Sequence, residues 1–128
     1  KNAKGSNFAS IAEFLQKTDD LDFFCCDANE PKTDSFNLDE LEFWQPKGRG
    51  KYASLIFGNN SVHELTDPVK TENIFKELPV SYYSAGIARR YDYIYKAFKW
   101  KTEGINFYYE DSKNASSDHS IVVGVFNL

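Results

Sequence analysis

The chain has 128 residues, of which 41% are hydrophobic and 16% aromatic, and its formal net charge is −4. This length fits one domain, residues 1–128, which can fold without a disulfide framework or a metal. The apolar content excludes a disordered chain, and no apolar run approaches the roughly 20 residues that cross a bilayer. We therefore expect a single globular domain without a membrane span and with a flexible start over residues 1–6.

The charged side chains are unevenly distributed along the sequence. Residues 1–45 carry four basic and ten acidic side chains, residues 46–102 carry ten and five, and residues 103–128 carry one and four. Surface fields act over about 8–10 Å, so this segregation matters more than the total. The acidic stretch is either a solvated face or a surface for a basic partner. Its candidate partner-binding residues are Asp19, Asp20, Asp22, Asp39, Glu40 and Glu42, with Trp44 beside them.

The first predicted element is a helix over residues 7–17. Its apolar side chains recur at spacings of three and four residues, which places them on one face. Ser6 is suited to cap the amino end, because a serine hydroxyl accepts a hydrogen bond from a free backbone N–H. The predicted apolar stripe consists of Phe8, Ile11, Phe14 and Leu15.

Short apolar segments predict strands in the middle of the chain. Residues 21–26 form an apolar run bounded by acids and turn-forming residues. Residues 52–57 and 61–65 predict a hairpin around Gly58-Asn59-Asn60, since glycine and asparagine tolerate a positive φ. Residues 36–44 fit two short alternating pieces better than one helix.

The clearest local signal marks a second helix, over residues 67–78. Asp67 is a favourable N-cap, and Pro68 suits the first helical position. The helix would bury Val69, Ile74, Phe75 and Leu78, and Pro79 would end it.

The last third of the chain predicts an antiparallel meander of three strands. Alternating tyrosines start the first strand at about residue 91, and residues 101–104 form the hairpin loop after it. Residues 105–109 return, residues 110–118 form a polar loop, and residues 119–126 form the final strand. Together the elements indicate an α+β fold, with two helices and an antiparallel sheet of about five to seven strands.

The two cysteines, Cys25 and Cys26, are adjacent, so on a strand their side chains point to opposite faces. We interpret them as small hydrophobic residues, because no paired-cysteine or histidine spacing predicts a metal or cofactor site. Unpaired cysteines favour a reducing, cytoplasmic compartment. The absence of Met indicates a trimmed chain, which leaves a secreted or periplasmic mature protein open.

His63 and His119 are the only imidazoles. One reading makes them a general acid and base on a phosphodiester, helped by Lys51 or Lys99. The other makes each a surface histidine or one satisfied within the fold, and nothing in their spacing decides between the two.

A basic and aromatic segment follows residue 88, and it allows three interpretations. Its rings could be core, a protein interface, or a platform for nucleic acid bases. The overall acidity of the chain disfavours nucleic acid. The candidate residues are Arg89, Arg90, Tyr91, Tyr93 and Tyr95.

In composition the chain resembles dedicated protein inhibitors, including the immunity proteins that neutralise bacterial toxins. That resemblance implies a non-enzymatic protein that occludes a basic partner such as a toxin nuclease, because opposite charge speeds association. Two alternatives stay open. One is a small hydrolase or ribonuclease using His63 and His119, and the other is a small-ligand binder with an aromatic pocket.

Overall fold

The computed structural model describes residues 3–28, 56, 61–72, 74–76 and 79–128. These residues form a small mixed α and β structure in which strands pair antiparallel in twos. Within the described residues, no helix is long and apolar enough to span a membrane. A single domain and a sheet of five to seven strands stay predictions. The elements are α1 (Ala3–Leu15), β1 (Phe23–Asp27), α2 (Pro68–Thr71), β2 (Tyr82–Ser84), β3 (Ile87–Arg89), β4 (Asp92–Lys96), β5 (Lys101–Tyr108), α3 (Tyr109–Asn114) and β6 (Ile121–Asn127).

Helix α1 confirms the first predicted helix but begins earlier, so Ser6 lies inside it instead of capping it. Its buried face consists of Phe8, Ala12 and Leu15. Phe14 was expected in the same stripe but is exposed. At 3.6 residues per turn, Phe14 lies about 120° around the helix from Phe8, which turns its ring to solvent.

Strands β1 and β4 pair directly and present one face to the core. Phe24 lies opposite Tyr95, and Cys26 lies opposite Tyr93. Both tyrosines are buried and cluster with the apolar face of α1. The strand predicted over 21–26 and the alternating tyrosine strand are therefore confirmed, and the core face accounts for both tyrosine rings.

The other face of the β1–β4 pair is covered by β6. The Phe126 ring lies 4.9 Å from the Phe23 ring, centroid to centroid. A Cβ placed on Gly124 would lie 3.2 Å from Ile94 Cδ1. The described core is thus layered, with α1 on one side of the β1–β4 pair and the β5–β6 pair on the other.

Helix α2 begins as the sequence predicts but ends far sooner. The Asp67 side chain accepts a hydrogen bond from Val69 N, and Pro68 occupies the first turn. The helix stops at Thr71 instead of residue 78, and residues 74–76 are not helical. Thr71 is a poor helix former, and its hydroxyl bonds back to the Asp67 carbonyl.

The predicted strand over residues 61–65 is wrong. Ser61, Val62 and His63 form a turn, and Glu64 has a φ of 49° that no strand accommodates. The predicted partner strand over 52–57 and the pieces over 36–44 lie outside the described residues, except that Ile56 is a buried turn residue.

Only half of the predicted three-strand meander is confirmed: its last two strands pair with each other, but the first pairs elsewhere. Strand β4 pairs with β1, and β5 pairs with β6. The chain reverses at Ala97–Trp100, where Trp100 N donates to the Ala97 carbonyl, so residues 101–104 already belong to β5. Helix α3 occupies the first part of the loop predicted over 110–118 and begins one residue before it, and residues 82–89 form the unpredicted β2–β3 hairpin.

Candidate functional site

The loop after α1 and the turn after β4 meet in one corner of the molecule. Ala97 N donates to the Asp22 carbonyl at 2.8 Å. Lys99 Nζ lies 2.6 Å from Asp22 Oδ1. Phe98, between these two contacts, is 91% exposed. We call this surface the loop–turn corner, and its members are Asp19, Asp20, Asp22, Phe98 and Lys99.

The charges of the loop–turn corner are partly neutralised internally. The hydrogen bond from Lys99 lowers the pKa of the Asp22 carboxyl, and the same bond raises the pKa of Lys99. Asp19 and Asp20 are exposed and carry the remaining negative charge. Among the described residues, one aspartate of the acidic segment and one lysine of the basic segment are therefore paired in this corner.

The turn that carries Phe98 rests on a packed base. The Trp100 ring lies 5.2 Å from Phe23, which in turn contacts Phe126. Lys96, just before the turn, is buried and lies 2.8 Å from Glu72. The turn is therefore anchored on both sides of Phe98, while the Phe98 ring itself projects into solvent.

Three of the sequence candidates belong to the core. Arg90 Nη2 lies 2.8 Å from Asp67 Oδ2, and both side chains are buried. Tyr93 and Tyr95 are buried too, and burial holds the pKa of Tyr95 well above its usual range. Because they are buried, these three side chains are not available to a partner on the surface.

Arg89 and Tyr91 are half-buried around the β2–β3 hairpin. Arg89 lies opposite Tyr82 in the register, and the Tyr91 ring stacks on Tyr82 with centroids 5.3 Å apart. The remaining candidates lie outside the described residues: Asp39, Glu40, Glu42, Trp44 and Lys51.

The two histidines serve different partners. His63 Nε2 lies 2.8 Å from the Leu15 carbonyl. A carbonyl oxygen only accepts, so this nitrogen carries the proton and ties the turn at residue 63 to the end of α1. His119 instead lies beside carboxylates on β1 and β4.

Asp27, Asp92 and His119 form a second candidate site, which we call the Asp–Asp–His cluster. Asp27 and Asp92 are directly opposite each other in the β1–β4 register. His119 Nδ1 lies 2.9 Å from Asp92 Oδ2, and His119 Nε2 lies 3.9 Å from Asp27 Oδ2. One nitrogen or oxygen atom from each residue lies within 4.8 Å of the others.

Ser81 positions two members of this cluster through the backbone. Its buried hydroxyl accepts from Tyr91 N at 2.8 Å and from Asp92 N at 3.1 Å. Its carbonyl accepts from Ser120 N at 2.8 Å, next to His119. The Tyr82 ring packs against the His119 imidazole, with the two ring centroids 4.7 Å apart.

Opposing effects set the protonation of His119. Partial burial alone would lower its pKa, but the Asp92 hydrogen bond and the charges of Asp92, Asp27 and Asp118 raise it. Imidazole nitrogen and carboxylate oxygen are also ligands for divalent metal ions. No residue spacing indicates the cluster, because its members come from three distant segments, which the pairing of β1 with β4 and the backbone bridge between Tyr82 and His119 bring together.

No protein-family model, curated protein or solved structure matches this chain. The loop–turn corner and the Asp–Asp–His cluster are the two candidate sites among the described residues.

Proposed function

We propose that this chain is a non-enzymatic protein-binding protein of inhibitor type that occludes a basic partner through the loop–turn corner. The observation that carries the proposal is Phe98, a large aromatic side chain that is 91% exposed on an anchored turn. Aromatic anchors that enter a pocket of the partner dominate the energy of many interfaces. An immunity-type role against a toxin nuclease fits this arrangement.

The charge around Phe98 supports the choice of a basic partner. Asp20 acts electrostatically on Lys99, the residue after Phe98, and both Asp19 and Asp20 are exposed, while Lys99 is held by Asp22. Carboxylates at the rim of an interface speed encounter with a basic surface and make it salt-dependent. The expected partner therefore offers an apolar pocket bordered by lysine or arginine.

Photo-crosslinking tests this proposal directly. The full chain with p-benzoylphenylalanine in place of Lys101, an exposed residue three positions after Phe98, is irradiated in an extract of the source cells, and crosslinked proteins are identified by mass spectrometry. We expect a basic protein whose capture falls at least tenfold with Phe98→Ala and falls further in 0.5 M salt. Asp19→Asn with Asp20→Asn should slow its association.

Ile121→Ala is the matched control, because Ile121 is also an exposed apolar residue but lies at the start of β6, next to the Asp–Asp–His cluster. It should leave capture unchanged. The proposal fails if no basic protein depends on Phe98, or if Ile121→Ala weakens capture as much as Phe98→Ala does.

A further inference from the structure

The Asp–Asp–His cluster contains an arrangement that the protein-binding role does not use. Asp27 and Asp92 lie directly opposite each other on antiparallel strands. Like charges in that position destabilise a strand pair unless a cation lies between them. Asp118 adds a further negative charge that acts on the His119 imidazole. The local charge therefore favours a bound cation.

The imidazole supplies a ligand of a different chemical kind. His119 Nδ1 lies 2.9 Å from Asp92 Oδ2, so Nδ1–H can donate to that carboxylate. The other ring nitrogen, Nε2, faces Asp27 at 3.9 Å. A carboxylate that holds one imidazole nitrogen while the other faces a metal is the common arrangement around zinc ligands.

We propose that the Asp–Asp–His cluster binds a divalent transition-metal ion of the zinc type between His119 Nε2 and the Asp27 carboxylate, with Asp92 as the positioning carboxylate. Bonds of about 2.0–2.1 Å place tetrahedral ligand atoms about 3.3 Å apart. The 3.9 Å separation closes to that value with a small rotation of Asp27, which is exposed. Water completes the coordination on the solvent side.

The backbone around the cluster is already fixed for this task. The Ser81 hydroxyl accepts a hydrogen bond from the backbone N–H of Asp92, and the Ser81 carbonyl accepts one from Ser120, the residue after His119. Tyr82 packs against the imidazole. Ligands held in place before binding lose little conformational freedom when the ion arrives.

Zinc chloride titrated into the full chain at neutral pH tests the site. We expect saturable binding of one ion by calorimetry and selective shifts of the His119 ring protons by NMR. His119→Gln should weaken binding at least tenfold, and Asp27→Asn should do so as well. Asp92→Asn should weaken it by about 10–100-fold, as expected for a positioning carboxylate.

Two variants are matched controls. His63→Ala removes the other imidazole, which is bonded to the Leu15 carbonyl, and should leave zinc binding unchanged. Cys25→Ser removes the exposed thiol two residues from Asp27 and should also leave it unchanged. Because Asp27 is exposed, Asp27→Asn reports on the site even if His119→Gln fails to fold.

The proposal is overturned if no saturable binding occurs, or if binding survives Asp27→Asn with unchanged affinity. It is also overturned if His63→Ala or Cys25→Ser abolishes binding, because the ion would then occupy another site. This test is independent of Phe98, so its failure would leave the proposed protein-binding role standing.

Discussion

Arg90 and Asp67 form a buried ion pair that joins α2 to the start of β4. Arg90 Nη2 lies 2.8 Å from Asp67 Oδ2. The other oxygen of the same carboxylate accepts from Val69 N at 3.2 Å and caps α2. The guanidinium lies 4.6 Å from the centroid of the Tyr93 ring. One carboxylate thus serves as a helix cap and as the counter-ion of a core arginine.

Arg90→Gln should therefore destabilise the fold strongly. The substitution leaves the Asp67 carboxylate buried without its cation, and breaking such a pair costs about 3–5 kcal/mol. Urea denaturation followed by tryptophan fluorescence measures the change. Lys17→Gln is the control, because it removes the exposed Glu13–Lys17 pair and should cost less than about 0.5 kcal/mol. Equal losses for the two variants would contradict the assignment of Arg90 to the core.

The Asp22–Lys99 pair predicts a pH-dependent contribution to stability. In the folded protein Lys99 lowers the pKa of the Asp22 carboxyl, whereas an aspartate in the unfolded chain has a pKa of about 3.9. The stabilisation is therefore fully present above that value and is lost as the pH falls through the lowered native pKa. NMR titration of the Asp22 carboxyl carbon measures this pKa. Lys99→Met should raise it, and an unchanged midpoint in that variant would show that the pair does not form in solution.

The turn of the β2–β3 hairpin carries backbone strain at a residue that is not glycine. Ala85 has a φ of 50° and Gly86 a φ of 77°. Two consecutive positive φ values define the turn in which Asn-Gly is preferred, and the left-handed region costs an alanine about 1–2 kcal/mol. Ala85→Asn should therefore stabilise the protein by about 0.5–1 kcal/mol, measured as a higher urea midpoint.

Gly86→Ala is the converse change and should destabilise the protein by about 1 kcal/mol. A Cβ built at residue 86 has no heavy atom within 4 Å, so the backbone alone would cause the loss. A neutral result for both substitutions would argue against this turn geometry.

The sequence predicted correctly those elements that depend only on residues close to one another along the chain. The Asp67-Pro68 start of α2 and the alternation of Tyr93 and Tyr95 were readable because capping and strand alternation depend on near neighbours. The β2–β3 hairpin was not predicted, because its turn places Ala85 at a positive φ, a conformation that alanine rarely adopts.

Strand pairing and the Asp–Asp–His cluster could not be predicted in the same way. The meander assumed that neighbours in sequence pair, but Tyr93 and Tyr95 bury their rings by aligning β4 with β1. That pairing brings Asp27 opposite Asp92, and a separate backbone bridge between Tyr82 and His119 places the imidazole beside them. The sequence indicated the acidic residues of the loop–turn corner but not their contact with Lys99, because Asp22 and Lys99 are far apart in the sequence.

Gly124 supports the packing of β6 on the β1–β4 pair. A Cβ at this position would lie 2.5 Å from Phe126 Cε2, 2.7 Å from Phe126 Cζ and 3.2 Å from Ile94 Cδ1. Gly124→Ala should therefore push the Phe126 ring out of its contact with Phe23 and cost about 1–3 kcal/mol. Urea denaturation measures the loss.

Phe126→Leu combined with Gly124→Ala tests the cause of that loss. The smaller side chain frees the space next to residue 124, so the double variant should be more stable than the sum of the two single changes predicts. Val123→Ala is the control for β6, because Val123 points to the exposed face of the strand and should cost little. Strict additivity of the two changes would show that the Phe126 ring does not lie over Gly124, and β6 would then need another explanation for the glycine at its centre.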